Sequence, residues 1–234
     1  MAVNTFRRFA VPAAWAALLG LSIALSVLAA GHETLPGDER IIAWAQDRVF
    51  PGETLSVAVR AVTGTEVVLG TGAATAVLLW LSGRRREAAF LVAGLLILPL
   101  LQSGLKELVD RPRPAAPLVE LRAGYSSPSF PSGHVMSPTF LYGFLLWQSM
   151  RPALPSALRV PVATWSACVL LFGGPPNVWL GVHWPSDVLG GWAWGLVLLV
   201  PVVYVMEGYG SRTASGPAGG LGPPQIRDAE PDQT

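Results

Sequence analysis

The sequence has 234 residues, of which 51% are hydrophobic and only 13% are charged. Soluble domains carry about 25% charged residues, so this composition is typical of a membrane protein. The net charge of +1 argues against nucleic-acid binding. A single cysteine, Cys168, excludes both an intrachain disulfide and a thiolate metal site.

Six charge-poor apolar runs predict helices that cross a bilayer. A helix needs about 20 apolar residues to span the hydrocarbon core. The runs cover residues 11–30, 67–82, 88–105, 135–150, 160–182 and 188–206. The second and fourth runs are short, but uncharged or nearly uncharged residues extend both of them. We therefore predict an all-α integral membrane protein, a bundle of about six transmembrane helices within residues 1–209.

Both ends of the chain need separate interpretation. The first run follows Arg7 and Arg8 and ends in small residues, which also fits a cleavable signal peptide. Its apolar stretch is longer than the roughly 7 to 15 residues of a signal peptide, so we expect an uncleaved first span. Residues 210–234 are rich in Gly, Pro, Ser and Asp, which predicts a disordered cytoplasmic tail.

Arginines in the short loops predict the orientation in the membrane. Arg84, Arg85 and Arg86 crowd the turn after the second run, and Arg151 and Arg159 flank the turn after the fourth run. If six spans alternate, these residues and the N-terminal arginines share one side, which the positive-inside rule makes cytoplasmic. Both termini are then cytoplasmic. The bias is incomplete, because the other side also carries Arg40, Arg48, Arg60, Lys106, Arg111, Arg113 and Arg122.

A segment on the outward side, residues 38–50, has its own helical pattern. Ile41, Ala45 and Val49 recur at helical spacing between charged residues. The pattern predicts either an interfacial helix or a loop helix packed on the bundle.

The first segment whose side chains could bind a substrate or catalyse a reaction is Lys106-Glu-Leu-Val-Asp-Arg111-Pro-Arg113-Pro114. Three cations within eight residues, on a backbone stiffened by two prolines, suit a multiply charged anion such as a phosphate. The alternative is that these cations flank a span and extend toward lipid headgroups.

The second segment is Ser129-Phe-Pro131-Ser132-Gly133-His134, directly before a predicted span. The N–H groups at a helix start are free to point at an anion, and the helix dipole favours negative charge there. A phosphate therefore fits this position. The alternative is an ordinary helix start with an incidental histidine.

The third segment contains His183 and Asp187, four residues apart at the start of the sixth run. A carboxylate can hold one imidazole nitrogen and leave the other free to attack a substrate. Two histidines and a carboxylate could instead bind a divalent metal. The sequence offers no clear further ligand, and the nearby arginines would repel the ion, so we expect no metal and no cofactor.

Together the three segments resemble the type 2 phosphatidic acid phosphatase family, membrane enzymes with the pattern K-x6-RP, PSGH and SR-x5-H-x3-D. Residues 106–114 match the first element, residues 131–134 the second and residues 183–187 the latter half of the third. The family's Ser-Arg pair is replaced here by Pro176 and Asn177, which removes one cation from the expected phosphate pocket. Arg122 and Arg111 are the candidate substitutes. The Gly173-Gly174-Pro175-Pro176 stretch also predicts a helix break.

The resemblance implies a metal-independent lipid phosphate phosphatase. It implies that His183 attacks phosphorus to form a phosphohistidine, that Asp187 orients His183, and that His134 protonates the leaving oxygen. The residues expected to bind the phosphate are Lys106, Arg113, Ser132, Gly133 and Asn177. Candidate substrates are phosphatidic acid, phosphatidylglycerophosphate and polyprenyl phosphates or diphosphates.

The expected location is a bacterial cytoplasmic membrane with the active site on the extracytoplasmic face. The high content of Ala, Gly, Arg and Pro, with a single Lys, suggests a GC-rich bacterial genome. The missing Arg leaves other functions open. Turnover could be slow, or the protein could bind lipid phosphates without hydrolysing them. A phosphotransferase would share the intermediate and differ only in the acceptor. A transporter is disfavoured because the charged residues cluster at span ends rather than at mid-membrane.

Overall fold

The computed structural model describes residues 2–49 and 51–214, which form nine helices and no strand. The all-α prediction is therefore confirmed for this part of the chain. The helices are α1 (Ala2–Gly31), α2 (Asp38–Gln46), α3 (Gly52–Thr63), α4 (Thr65–Leu81), α5 (Arg85–Val109), α6 (Gly133–Ser149), α7 (Ser156–Phe172), α8 (Pro175–Trp179) and α9 (Pro185–Ala214).

The six predicted runs correspond to α1, α4, α5, α6, α7 and α9. Four stretches are long and apolar enough to cross a membrane: Phe9–Gly31, Arg85–Val109, Ser156–Trp179 and Pro185–Gly208. The pair α3 and α4, bent by 48°, adds a fifth stretch if it is one broken span. By length and composition the described residues thus supply four or five spans, and α6 falls short because it has only 17 residues.

Helix α6 lies at the centre of the bundle. It packs most extensively on α9 and α7, and also contacts α3, α4 and α5. Its side chains Met136, Phe140 and Phe144 are fully buried. Small residues allow this close packing, since a Cβ on Gly195 of α9 would lie 2.5 Å from the Cβ of Thr139.

Helix α2 packs on the bundle, against α8 and α9, as the second alternative for residues 38–50 predicted. The predicted apolar face is wrong, however, because Ile41 and Val49 are exposed and Ile42 is buried instead. The physical reason is Asp38 in the first turn, whose carboxylate accepts hydrogen bonds from Arg111 and Ser186 inside the protein. These bonds set the rotation of the helix.

The predicted helix break after residue 172 is confirmed. Helix α7 ends at Phe172, and the short helix α8 begins at Pro175, so the fifth apolar run is not one continuous helix. At the C-terminus, α9 continues to Ala214 and includes the first residues of the predicted tail. Residues 215–234 of that tail lie outside the described residues.

The packing of α5 on α6 yields a stability prediction. A Cβ on Gly94 would overlap the ring of Phe140, with Cε2 only 2.7 Å away, and this ring is fully buried. We expect Gly94→Ala to destabilise the protein by about 1–3 kcal/mol, measured as a lower apparent Tm in detergent.

Gly104→Ala on the same helix is the matched control, because nothing lies within 4 Å of its added Cβ. Alanine is also the better helix former, so this variant should keep or raise the Tm. Equal Tm values for the two variants would contradict the packing of α5 on α6.

Candidate active site

The three sequence motifs meet at one end of the bundle, where α5 ends and α6 and α9 begin; we call this the site end. A cavity of about 220 Å³ opens there. Its lining includes the cations Lys106 and Arg113 and the histidines His134 and His183, as predicted, and adds Arg60 from α3. None of the lining residues is an Asp or Glu. The cavity therefore has a strongly positive wall suited to a multiply charged anion.

His183 has both ring nitrogens in defined contacts. Its Nδ1 lies 3.4 Å from Oδ2 of Asp187, and its Nε2 lies 3.2 Å from Nη1 of Arg113. A guanidinium can only donate, so Nε2 accepts, and the ring proton resides on Nδ1, facing the carboxylate. The lone pair of Nε2 is therefore on the side of Arg113, which lines the cavity.

The surroundings of His183 keep its imidazole neutral. The side chain is only 1% exposed, and burial is the main cause that lowers its pKa to about 4. The hydrogen bond with Asp187 opposes this shift, and the charge of Arg113 adds to it. At neutral pH the ring thus keeps the lone pair that a nucleophile requires.

Asp187 lies in the first turn of α9, and its carboxylate is positioned by a backbone N–H of that turn and by a buried arginine. Its Oδ2 accepts the backbone N–H of Trp184 at 2.8 Å, which caps the first turn of α9. Its Oδ1 accepts Nη1 of Arg111 at 2.7 Å. The other side of Arg111 donates to Asp38 at 2.8 Å, so one guanidinium joins α2 to α9.

Asp38 belongs to the site end, although it lies in none of the three motifs. Asp38 is 2% exposed although it lies in a charged segment. The signal available in the sequence is the Gly37-Asp38 pair, because glycine often precedes a helix and acidic residues favour its first turn. Acidic residues are common in the first turn of a helix, where they interact favourably with the helix dipole. The local pattern alone therefore does not distinguish a site residue from a carboxylate with that role only.

Lys106 and Arg113 anchor the loop that forms one wall of the cavity. Nζ of Lys106 donates to the carbonyl oxygen of Pro128. Arg113 donates through Nε to the carbonyl of Ser127 at 2.7 Å and stacks over Tyr125. Burial lowers the pKa of Arg113 to about 10, which still leaves it charged at neutral pH. Both cations are therefore held where a phosphate would contact them.

The second motif brings the start of α6 to the cavity. Gly133 and His134 line it, and the N–H of Gly133 belongs to a first turn that has no intrahelical acceptor for it. A Cβ at Gly133 would meet the amide of Gln102 at 2.5 Å, so any larger residue would have to displace that side chain. Ser132 is fully buried but does not line the cavity, and its Oγ has no partner within residues 2–49 and 51–214.

Asn177, predicted to bind phosphate, does not line the cavity. It is fully buried in α8; its Nδ2 donates to the carbonyl of Gly173 at 2.9 Å and its Oδ1 accepts Nη1 of Arg60 at 3.1 Å. Its own carbonyl oxygen accepts the N–H of His183 at 3.3 Å. Asn177 therefore contacts both a cation of the cavity and the backbone of the histidine.

Neither of the substitute cations proposed from the sequence lies in the cavity. Arg111 is buried between its two carboxylates. Arg122 pairs with Glu120 at 2.7 Å and stacks over Trp179 at 4.1 Å. Both expectations are wrong for the same reason: each guanidinium is already held by other groups.

The described residues contain no group of three or more His, Cys, Asp or Glu side chains that could hold a metal ion. Of the histidines and carboxylates at the site end, only His134 and His183 line the cavity.

Residues 87–210 match the family model of the PAP2 superfamily. This match covers more than half of the chain, and the chain belongs to that superfamily. With its apolar helices, it is a multi-pass membrane protein.

This chain is similar to a known protein in sequence and to a solved structure in fold. Phosphatidylglycerophosphatase B of Bacillus subtilis (strain 168) is 34% identical over 116 residues, which make up 48% of this chain and 53% of the relative. The match thus spans about half the length of that relative. A transmembrane PAP2 type phosphatidylglycerolphosphate phosphatase from Bacillus subtilis has a crystal structure that matches with a TM-score of 0.72 at 22% identity. That match covers 83% of this chain and 96% of the other, which shows a shared fold.

The buried arginine yields a prediction about stability. Arg111→Met leaves the carboxylates of Asp38 and Asp187 buried without a cation, so we expect a loss of about 3–5 kcal/mol, seen as a lower apparent Tm in detergent. Adding Asp38→Asn should recover part of the loss, because one of the two carboxylates is then neutral. The control is Arg122→Ala, whose partner Glu120 is 70% exposed and whose loss should cost less than about 1 kcal/mol. A double variant less stable than Arg111→Met alone would contradict the bridge.

The protonation state of His183 can be measured directly. In protein labelled with nitrogen-15 histidine, the His183 signals are identified by their absence in His183→Ala. We expect a neutral ring with the proton on Nδ1 down to about pH 5, where an ordinary imidazole of pKa 6.5 is about 97% protonated. The folded pKa is lowered, so protonation should begin only as the pH approaches about 4. A midpoint near 6.5, or a proton on Nε2, would contradict this arrangement.

Proposed function

We propose that the protein is a membrane phosphatase that removes the phosphate from a lipid phosphate through a phosphohistidine on His183. The observation that carries the proposal is the neutral His183 at a cavity with three cations. Its Nε2 lone pair is on the cavity side, and Asp187 holds the opposite nitrogen. A nucleophile and a cationic anion site are the two parts that phosphoryl transfer needs.

In the first step, Nε2 of His183 forms a bond to phosphorus while the bond from phosphorus to the lipid oxygen breaks. Arg113 exchanges its contact with Nε2 for a phosphate oxygen, and Lys106 and the Gly133 N–H donate to the other oxygens. Burial lowers the pKa of His134 and leaves its ring neutral before substrate binds. When the negatively charged phosphate binds, His134 takes up a proton, which it then gives to the departing oxygen. The positive wall stabilises the charge that develops in the transition state.

In the second step, water attacks the phosphohistidine and the bond from phosphorus to nitrogen breaks. His134 accepts the proton that water loses, and inorganic phosphate leaves. Asp187 supports both steps, because its negative charge stabilises the positive charge that the imidazole gains when it is bonded to phosphorus. The reaction written this way uses no metal.

The preferred substrate in this proposal is phosphatidylglycerophosphate. The support is the likeness to a phosphatidylglycerophosphatase from Bacillus subtilis. Phosphatidic acid and polyprenyl diphosphates offer the same terminal phosphate, so they are the comparison substrates. The cavity of about 220 Å³ is of a size for the phosphate and its immediate neighbours, and the lipid chains would remain in the membrane.

We place the cavity on the extracytoplasmic face, in a bacterial cytoplasmic membrane with both termini inside. The site end lies at the C-terminal end of α5, and the arginine-rich turn of residues 84–86 lies at the N-terminal end of the same helix. Because positive loops stay in the cytoplasm, the site end faces outward.

The test of the function is phosphate release by the purified protein in detergent with EDTA present. We expect release from phosphatidylglycerophosphate, no release from His183→Ala, and release slowed about 10²- to 10³-fold by Lys106→Ala or Arg113→Ala. The matched control is His32→Ala, which removes an exposed histidine outside the cavity and should leave release unchanged.

Four outcomes would contradict parts of this proposal. Release that survives in His183→Ala would exclude the phosphohistidine mechanism. Loss of release with EDTA would show that a metal is needed. Release only from another lipid phosphate would correct the substrate, and binding of the lipid without any release would favour a binding protein.

A further inference from the structure

The family's third motif supplies a cation at a position that is neutral in this chain, yet the cavity still has three cations. Two of them, Lys106 and Arg113, come from the first motif. The third is Arg60, which lies on α3, far from the motifs in sequence. The composition of the cavity thus raises the question of what Arg60 does there.

The position of Arg60 is fixed at two points. Its Nη1 donates to Oδ1 of Asn177 at 3.1 Å, and its Nη2 donates to the carbonyl of Gly124 at 3.3 Å. Asn177 is the residue at the family's Arg position. The guanidinium of Arg60 therefore lies directly at the end of the side chain that replaces the missing arginine.

The fold holds Arg60 in this place. It lies in the last turn of α3, next to the 48° bend where Gly64 joins α3 to α4. Helix α3 packs against α8, which carries Asn177. The orientation of the Asn177 amide is also determined, because its Nδ2 donates to Gly173 and leaves the oxygen for Arg60.

No carboxylate engages Arg60 in the described residues, where both of its hydrogen-bond acceptors are neutral oxygens. Its charge is therefore not neutralised by a salt bridge, in contrast to Arg111 and Arg122. A half-buried guanidinium at a cavity wall, oriented by neutral acceptors, retains donors and full charge for an anion.

We infer that Arg60 is a phosphate-binding residue that replaces the arginine missing from the third motif, and that Asn177 positions it. The inference rests on the proposed function, since the ligand is the phosphate group of the same substrate. It adds a helix, α3, to the catalytic machinery. It also means that Asn177 does not indicate a lost phosphate site. The cation of that site comes from α3 instead, and Asn177 holds it in place.

The first experiment replaces Arg60 and measures phosphate release. Arg60→Ala and Arg60→Gln should slow release about 10²- to 10³-fold, the loss typical of one donor to a developing charge. Arg60→Lys should lie between these and the wild type, because it keeps the charge but loses the planar fork. Arg40→Ala is the matched control: it removes an exposed arginine of α2 outside the cavity and should leave release unchanged. All variants are compared only if their Tm in detergent equals that of the wild type.

The second experiment separates a positioning role of Asn177 from a structural one. Asn177→Leu should slow release about tenfold, as expected when one hydrogen bond to a charged group is lost. In the Arg60→Ala background the same change should have no further effect, because there is no guanidinium left to position. Asn177→Arg should slow the otherwise wild-type enzyme, in which it crowds Arg60, and should restore release in the Arg60→Ala background. Additive losses from Asn177→Leu and Arg60→Ala would overturn the positioning role.

A binding measurement keeps this inference separate from the proposed function. Orthovanadate and inorganic phosphate are titrated into the detergent-solubilised protein, and the Tm increase gives their affinity. If the wild type releases no phosphate from any lipid, the proposed function fails, but Arg60→Ala should still weaken vanadate binding relative to Arg40→Ala. If release and vanadate affinity are both unchanged in Arg60→Ala and Arg60→Gln, Arg60 does not bind phosphate and the inference is overturned.

Discussion

Arg111 holds a positive charge inside the site end of the bundle, at 1% exposure, between the carboxylates of Asp38 and Asp187. A buried charge is tolerated only when it is paired and hydrogen-bonded, so this cation commits both carboxylates to fixed positions. Asp38 sets the rotation of α2 against the bundle, and Asp187 faces Nδ1 of His183. The first and third motifs are therefore joined by an interaction that lies behind the cavity rather than in it. Substrate never needs to reach it, yet the geometry of the proposed nucleophile depends on it.

The cavity combines two requirements that oppose each other. A nucleophilic imidazole must be neutral, whereas a phosphate site must be positive. Here burial and the charge of Arg113 both lower the pKa of His183, so the same cation that would bind phosphate also keeps the ring unprotonated before substrate arrives. Asp187 opposes that shift only in part. The positive wall thus serves both purposes, and a carboxylate among the lining residues would weaken both.

The sequence predicts the parts of this site that are local and fails at the parts that are not. Lys106, Arg113, His134 and His183 belong to segments with recognisable spacing, and the structure brings all four to one cavity. Arg60 and Asp38 belong to no such pattern. Arg60 was visible as a charge in the otherwise apolar end of α3, where an ionisable residue is costly and suggests a function. The pairing of α3 with α8 is a tertiary contact, and nothing in the local sequence specifies it.

The departure at Pro176 and Asn177 follows from how the chain enters the histidine segment. Gly173 to Pro176 end α7 and begin the short helix α8, and the carbonyl of Asn177 then accepts the N–H groups of both Val182 and His183. The backbone of residue 177 thus helps to place His183, the proposed nucleophile, whatever the side chain at position 177 is. A fully buried side chain at this point is easier to accommodate as a neutral amide than as a guanidinium, since burying a charge is costlier than burying an amide. The half-buried Arg60 can carry the charge at the cavity wall instead, at the end of a helix that packs on α8. The backbone of Asn177 thus positions the histidine segment, and the guanidinium of Arg60 carries the positive charge at the cavity wall.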